Sequence, residues 1–170
     1  MNRKPIRNAF LKAAPAVACL GVGLAIACAA PARAELGGTY DSVLHDQETM
    51  HATLTTEEHP AYTTYILDMA DGTQVREYYS QHTGVFAVDW SGPGRLPDLN
   101  QVLGTYAERY ADSVRQRHAG PAGQHVGRTT PLHRSDPDFQ LESRLIMRHF
   151  KGRAFIPQSV PQEVAIEDVR

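Results

Sequence analysis

Eight histidines and nineteen acidic residues are the groups from which this 170-residue chain would have to build a metal site or an acid–base pair. The densest local set is His45, Glu48 and His51. On a helix Glu48 shares a face with either histidine, but the two histidines, six positions apart, do not converge with it. His118, His125, His133 and His149 lack the His-x-x-x-His spacing of a helical zinc pair. A serine or threonine nucleophile would need a histidine and an acid beside it, and the Gly-x-Ser-x-Gly elbow that announces one is absent. His82, beside the turn into Val85, could meet Asp89 or Glu77, but a surface turn histidine is the more ordinary account of it. Glu57 and Glu58 are adjacent and point apart in extended chain, and Asp136-Pro137-Asp138 has the composition of a turn. Gly92-Pro93-Gly94 precedes a helix, yet Asp98 at its start would repel an anion there. These patterns assign no catalytic residue, no metal ligand and no cofactor.

The elements that would position such groups begin after a leader. Arg3, Lys4, Arg7 and Lys12 form a basic head, Ala13 to Ala30 is apolar and small, and Ala32-Arg33-Ala34 has the pattern that a signal peptidase accepts. This predicts a signal peptide over 1–34 and a single exported domain over 35–170, periplasmic or secreted. Two alternatives stay open. Ala13 to Ala30 could remain as a membrane anchor, although it is short and carries Pro15, Gly21 and Gly23. Leu24-Ala25-Ile26-Ala27-Cys28 loosely matches a lipoprotein box, with Cys28 lipidated.

Cleavage leaves 136 residues, enough for one core. The only cysteines, Cys19 and Cys28, leave with the leader, so the domain is expected to hold together by packing without a disulfide. The leader also takes five of the seventeen basic residues and none of the acids, which leaves a formal charge of −7. That balance argues against a nucleic-acid or anionic-membrane partner, and membrane attachment is expected only through an uncleaved signal or Cys28. The charge is uneven. From Glu35 to Val75 there are eight acids and no Lys or Arg, whereas Arg109 to Arg153 is rich in arginine. Complementary faces of one domain, plain solvated surface or a partner-docking patch would each account for this.

A short, weak helix is the most that 41–50 supports. Strand signals follow over 62–69, 73–80 and 85–90, with Asp71-Gly72 as a two-residue hairpin turn, giving a three-stranded meander. Asp98 and Gln101 have capping-box spacing, and Leu99, Val102, Leu103, Tyr106, Tyr110 and Val114 make one apolar stripe, so a single helix is expected from Asp98 to His118 before Gly120-Pro121. Residues 119–137 read as a long loop or short edge strand. Phe139 to Leu145 alternates as a strand, and 147–156, with Lys151-Gly152 inside it, reads as a bulged strand or two pieces. The fold class is therefore α+β: a mostly antiparallel sheet of a meander, a helix and further strands, with one main amphipathic helix on one face.

With a two-residue turn at 71–72 and a four-residue turn at 81–84, Ile66, Glu77 and Val88 align and Arg76 faces Asp89. Ile66, Val75, Tyr79, Phe86, Val88 and Trp90 then face the helix. Tyr65, Arg76, Tyr78 and Asp89 gather on the other face as the candidate binding residues, with ordinary cross-strand pairing as the plain alternative.

Leu36-Gly37-Gly38, Arg76-Glu77-Tyr78, the block from Val85 to Pro93, Pro97-Asp98-Leu99 with Leu103-Gly104, Gly152-Arg153-Ala154-Phe155 with Pro157, and the ending Glu167-Asp168-Val169-Arg170 give the chain a family likeness. It resembles the proteobacterial exported family known as domain of unknown function 2844. The resemblance implies an exported globular domain and carries no activity or site residue with it. The expected function is a non-enzymatic module that binds a protein, peptide or envelope component, with a small periplasmic hydrolase or a histidine-based metal-handling protein as the alternative. The oligomeric state is left open.

Overall fold

A computed structural model describes residues 35–119 and 131–169. The expected leader, Cys19, Cys28, His125 and the Gly120-Pro121 stop lie outside the described residues. In chain order the elements are helix α1 (Tyr40–Met50), strands β1 (Thr53–Glu58), β2 (Thr63–Asp68), β3 (Gln74–Ser80) and β4 (Gly84–Pro93), helix α2 (Leu99–Leu103), a 3-10 turn (Gly104–Tyr106), helix α3 (Ala107–His118), then β5 (Leu132–Asp136), β6 (Phe139–Ile146) and β7 (His149–Phe155). Two short 3-10 turns, Pro157–Ser159 and Ile166–Asp168, punctuate the tail. The seven strands form one antiparallel sheet in the order β1-β2-β3-β4-β7-β6-β5. The α+β class is as expected. No described helix is long and apolar enough to cross a membrane.

The meander forms with one slip. Met69 N–H donates to the Thr73 carbonyl, so the loop is the three residues Ala70, Asp71 and Gly72, and Gly72 takes a φ of +84°. A three-residue loop with glycine in the left-handed region is the second commonest hairpin closure, and it differs from a two-residue turn by one position of register. Ile66 accordingly faces Arg76, and Tyr65 faces Glu77. Because side chains alternate between faces, this moves Tyr65 off the Arg76 face and puts Ile66 onto it. The β3–β4 register holds as expected at Arg76–Asp89 and Glu77–Val88, then slips between Tyr78 and Tyr79. The bulge turns Phe86 to the Tyr78 side, where it packs with Tyr78 and Tyr62.

One face of the sheet carries the main core. Leu67, Val75, Val85, Val88, Trp90, Leu141, Phe150 and Ala154 pack there under Val43 of α1, Leu99, Val102 and Leu103 of α2, and Ala107 of α3. The expected single helix is broken at Gly104, whose φ of +52° and closeness to Glu35 both demand glycine. Asp98 caps α2 as expected, accepting from Asn100 N–H at 2.9 Å, but the Gln101 side chain turns inward to Asp46 and makes no capping box. Residues 40–50 form a full eleven-residue helix although their apolar pattern is weak. The stripe that α1 buries is Ser42, Val43 and Asp46, which no hydrophobic periodicity reveals. Lys151-Gly152 produces no break: β7 runs straight through, and Gly152 is the slot in which the fully buried Trp90 indole lies, since a Cβ there would overlap the ring.

Asp46 is 0% exposed and Glu77 2%, and their carboxyl groups are hydrogen-bonded to each other. Gln101 Nε2 donates to Asp46 Oδ1 at 2.6 Å, while Asp46 Oδ2 and Glu77 Oε2 have no other donor. Two carboxylates cannot both stay ionised this close and this dry, so one proton is held between them. Burial, the largest cause, lifts the Asp46 carboxyl to about 7, against the hydrogen bonds from Gln101 and Glu77. Burial, with the charge of Asp46 adding to it, lifts Glu77 well above the carboxylate range.

A carboxyl whose native pKa is raised keeps its proton when the unfolded chain has already lost it. The stability it contributes is therefore present below the unfolded pKa, near 4, and is lost as pH rises through the native value. Urea unfolding should accordingly show stability falling between pH 5 and pH 8, by up to about 1.4 kcal/mol per pH unit for each retained proton. Glu77→Gln, whose amide still donates to Asp46, should flatten that slope, and an unchanged slope would contradict the shared proton.

Candidate functional site

The face of the sheet away from the helices is built from rows of directly opposed residues. One row, crossing from β3 to β5, reads Arg76, Asp89, Arg153, Glu142, His133. Charges alternate along it, as cross-strand stabilisation favours. Arg153 Nε lies 3.3 Å from Glu142 Oε2, and His133 Nε2 lies 3.6 Å from Glu142 Oε1. Asp89 is 3% exposed and accepts a 2.7 Å hydrogen bond from the Tyr78 hydroxyl. Burial pushes its carboxyl up, and the Tyr78 hydrogen bond and the charges of Arg76 and Lys151 oppose that rise.

The next row reads Gln74, Ser91, Lys151, Arg144. Here two cations stand opposite each other, an arrangement that costs stability unless an anion lies between them. A cleft of about 540 Å³ opens over the two rows, lined by Asp89, Glu142, Arg144, Lys151 and Arg153 and by Val169 from the tail.

The tail makes the cleft's far wall. Residues 156–169 fold back over the apolar end of this face, where Val160, Val164, Ile166 and Val169 pack with Tyr62, Tyr78, Phe86, Ala87 and Phe155. Val169 is 0% exposed, and the Arg153 guanidinium lies 3.4 Å and 3.5 Å from the carbonyls of Ile166 and Val169. The face expected to carry the candidate binding residues is thus half roofed, for the physical reason that Phe86 and Phe155 on that side need cover from water.

Of the four residues expected to bind together, Arg76, Tyr78 and Asp89 share this face. Tyr78, 3% exposed, holds Asp89 from below the tail and is a positioning residue. Tyr65 is on the opposite face, half-buried in a tyrosine cluster with Tyr40 at 5.4 Å and Tyr79 at 6.0 Å between ring centres. The residues that sequence reasoning did not pick out are Glu142, Arg144, Lys151 and Arg153. Their signal was the stretch from 143 to 162, which has four cations and no acid.

The acid–base groups do not assemble. Among the described residues no three His, Cys, Asp or Glu side chains gather where a metal ion could be held. Thr49 Oγ1 and His45 Nε2 are 3.4 Å apart on an exposed face of α1, and among the described residues no acid supports that histidine. Asp136 and Asp138 flank the β5–β6 turn and fasten α3 to it. Arg109 reaches Asp138 with two 2.8 Å hydrogen bonds and lies over the stacked rings of Tyr106 and Phe139. His82 donates its backbone N–H to Ser80.

A family profile described as a protein of unknown function, DUF2844, matches residues 32–169, and the chain belongs to that family. No curated protein and no solved structure matches it.

If the tail is the cleft's wall, charging its last buried residue should release it. Val169→Asp is expected to cost about 2–4 kcal/mol and to make residues after 156 sensitive to carboxypeptidase. A tail that stays protected in this variant would show that Val169 is not its anchor.

Proposed function

We propose that this member of the DUF2844 family is an exported, non-enzymatic binding module, processed after Ala34, that engages an anionic component of the cell envelope from the periplasm or outside the cell. The basic, apolar and small-residue succession of the leader supports export. The observation that carries the binding reading is a segregation of cations. Arg109, Arg115, Arg134 and Arg153 each have a carboxylate within 4 Å. Arg95, Arg144, Arg148 and Lys151 are exposed, and among the described residues none of them is in an ion pair. Gly94 N–H donates to the Arg148 carbonyl at 2.8 Å, which brings the chain at Arg95 beside the β6–β7 hairpin, and the same hairpin's strands carry Arg144 and Lys151 into the wall of the cleft.

Such a corner is held against its own repulsion by the sheet and is relieved by a ligand that brings negative charge. Carboxylate and phosphate groups both fit, Arg144 supplying a planar fork and Lys151 a point charge. A hydrolytic or metal-handling role draws no comparable support: among the described residues no histidine gathers with two further ligating side chains, and the acid pair Asp46 and Glu77 is sealed from solvent.

Two measurements test this reading. Mass spectrometry of the protein recovered from periplasm or medium should give Glu35 as the first residue. Soluble polyphosphate should bind with an affinity that falls steeply with salt, and R144E/K151E should weaken it at least tenfold without lowering the melting temperature. Wild-type protein that ignores polyphosphate at low salt, or a double variant that binds as well as wild type, would end the proposal.

A further inference from the structure

The β6–β7 hairpin closes on Met147-Arg148, and both residues have positive φ, 46° and 68°. Two-residue turns of this kind are ordinarily made by Asn-Gly or Asp-Gly, because a side chain at positive φ is strained. Here the turn instead presents Met147, 93% exposed, beside Ile146 at 48%. Leu96, 38% exposed, lies two residues from Gly94, whose N–H is bonded to the Arg148 carbonyl. Two of the five large apolar residues exposed among those described are therefore adjacent at the hairpin tip, and a third, Leu96, follows the segment that is bonded to it. Around it stand Arg95, Arg144, Arg148 and Lys151, with His149 paired across from Ile146. The nearest acids in sequence are engaged elsewhere: Asp98 caps α2 and Glu142 pairs with Arg153 and His133.

We infer that this apex is a membrane-docking surface, in which Leu96, Ile146 and Met147 enter the headgroup region of an anionic bilayer while the four cations lie among its phosphates. The inference rests on the reading above, that the corner takes an anionic envelope component, and names that component as the lipid surface itself. An apolar tip inside a collar of Lys and Arg is the pattern that interfacial segments use, since the tip gains burial and the collar gains counter-charge in one orientation. A soluble polyanion would be served by the cations alone and would leave Met147 in water. The formal charge of −7 does not oppose this docking. Of the eight acids of residues 35–75, Glu57, Glu58 and Asp68 lie on β1 and β2, at the edge away from β6 and β7, Asp46 is buried, and Asp71, in the loop that touches Pro93, accepts the Thr73 N–H at 2.8 Å. At physiological salt, charges farther away than about 8 Å are largely screened.

The protein should be taken as the cell leaves it, so that the N-terminus is the same in wild type and variants. It is mixed with vesicles of phosphatidylglycerol and phosphatidylcholine, or of phosphatidylcholine alone. Sedimentation is expected with the anionic vesicles only, to weaken as salt rises, and to fall about fivefold for each cation removed in the series R148Q, R144Q/R148Q. Met147→Trp gives a second reading that survives if the charge variants fold poorly. Its emission should shift to the blue on anionic vesicles and be quenched by brominated lipid. The wild type, whose single tryptophan is fully buried, should show neither effect. Binding that leaves the new tryptophan unquenched, or that is indifferent to R144Q/R148Q, would overturn the inference. Binding of polyphosphate without binding of vesicles would overturn it and leave the broader reading intact; loss of both would remove the two together.

Discussion

Every residue from Val85 to Trp90 is buried, and that constraint organises the rest. A strand in the middle of a sheet points alternate side chains to opposite faces, so a run with no exposed position requires cover on both. Helices supply it on one side, where Val88 and Trp90 meet α1, α2 and α3. On the other side, among the described residues, it is the tail with its two 3-10 turns that is folded back over Phe86, Ala87 and Phe155. The glycine of the neighbouring strand follows from the same crowding: Trp90 lies where β7 must have no side chain, at Gly152.

This two-sided burial also explains why acids sit in the interior. Glu77 of β3 has the parity of the helix face, and the helix above it offers Asp46, so the two carboxyls meet where water is excluded and hold a proton between them. Asp89 has the parity of the tail face. It is kept by the Tyr78 hydroxyl and by the charges of Arg76 in its own row and Lys151 in the next. A native state built this way prefers mildly acidic conditions on the Asp46 and Glu77 side, and each acid is tied to a different covering layer.

The strand order converts a charge gradient along the chain into one across the molecule. The acidic early strands and the cationic late ones do not become neighbours, because β3 and β4 lie between them. Arg144, Lys151, Arg148 and Arg95 thus fall in β6, β7, their hairpin and the segment after β4, and among the described residues none of them has a carboxylate within ion-pair distance. The hairpin that places Met147 in solvent belongs to this corner, which is why the binding reading settles there and not on the half-roofed face around Tyr78.

Periodicity, turn residues and capping chemistry were enough to determine the α+β class, the meander, the main apolar stripe of α2 and α3 and the Arg76–Asp89 pairing. Local composition could not say whether Asp71-Gly72 closes a loop of two residues or three, and that single step of parity moved Tyr65 to one face and Ile66 to the other. Nor does it mark α1, whose buried stripe contains Ser42 and Asp46: Ser42 is satisfied locally by the Thr39 carbonyl, but Asp46 is made tolerable by Glu77 and Gln101, 31 and 55 residues away in sequence. The meeting of Arg95 with Arg148, the roofing of the sheet by Val169 and the isolation of the cationic corner are contacts between distant segments. They depend on which strands become neighbours, and that is decided by burying both faces of β4 at once.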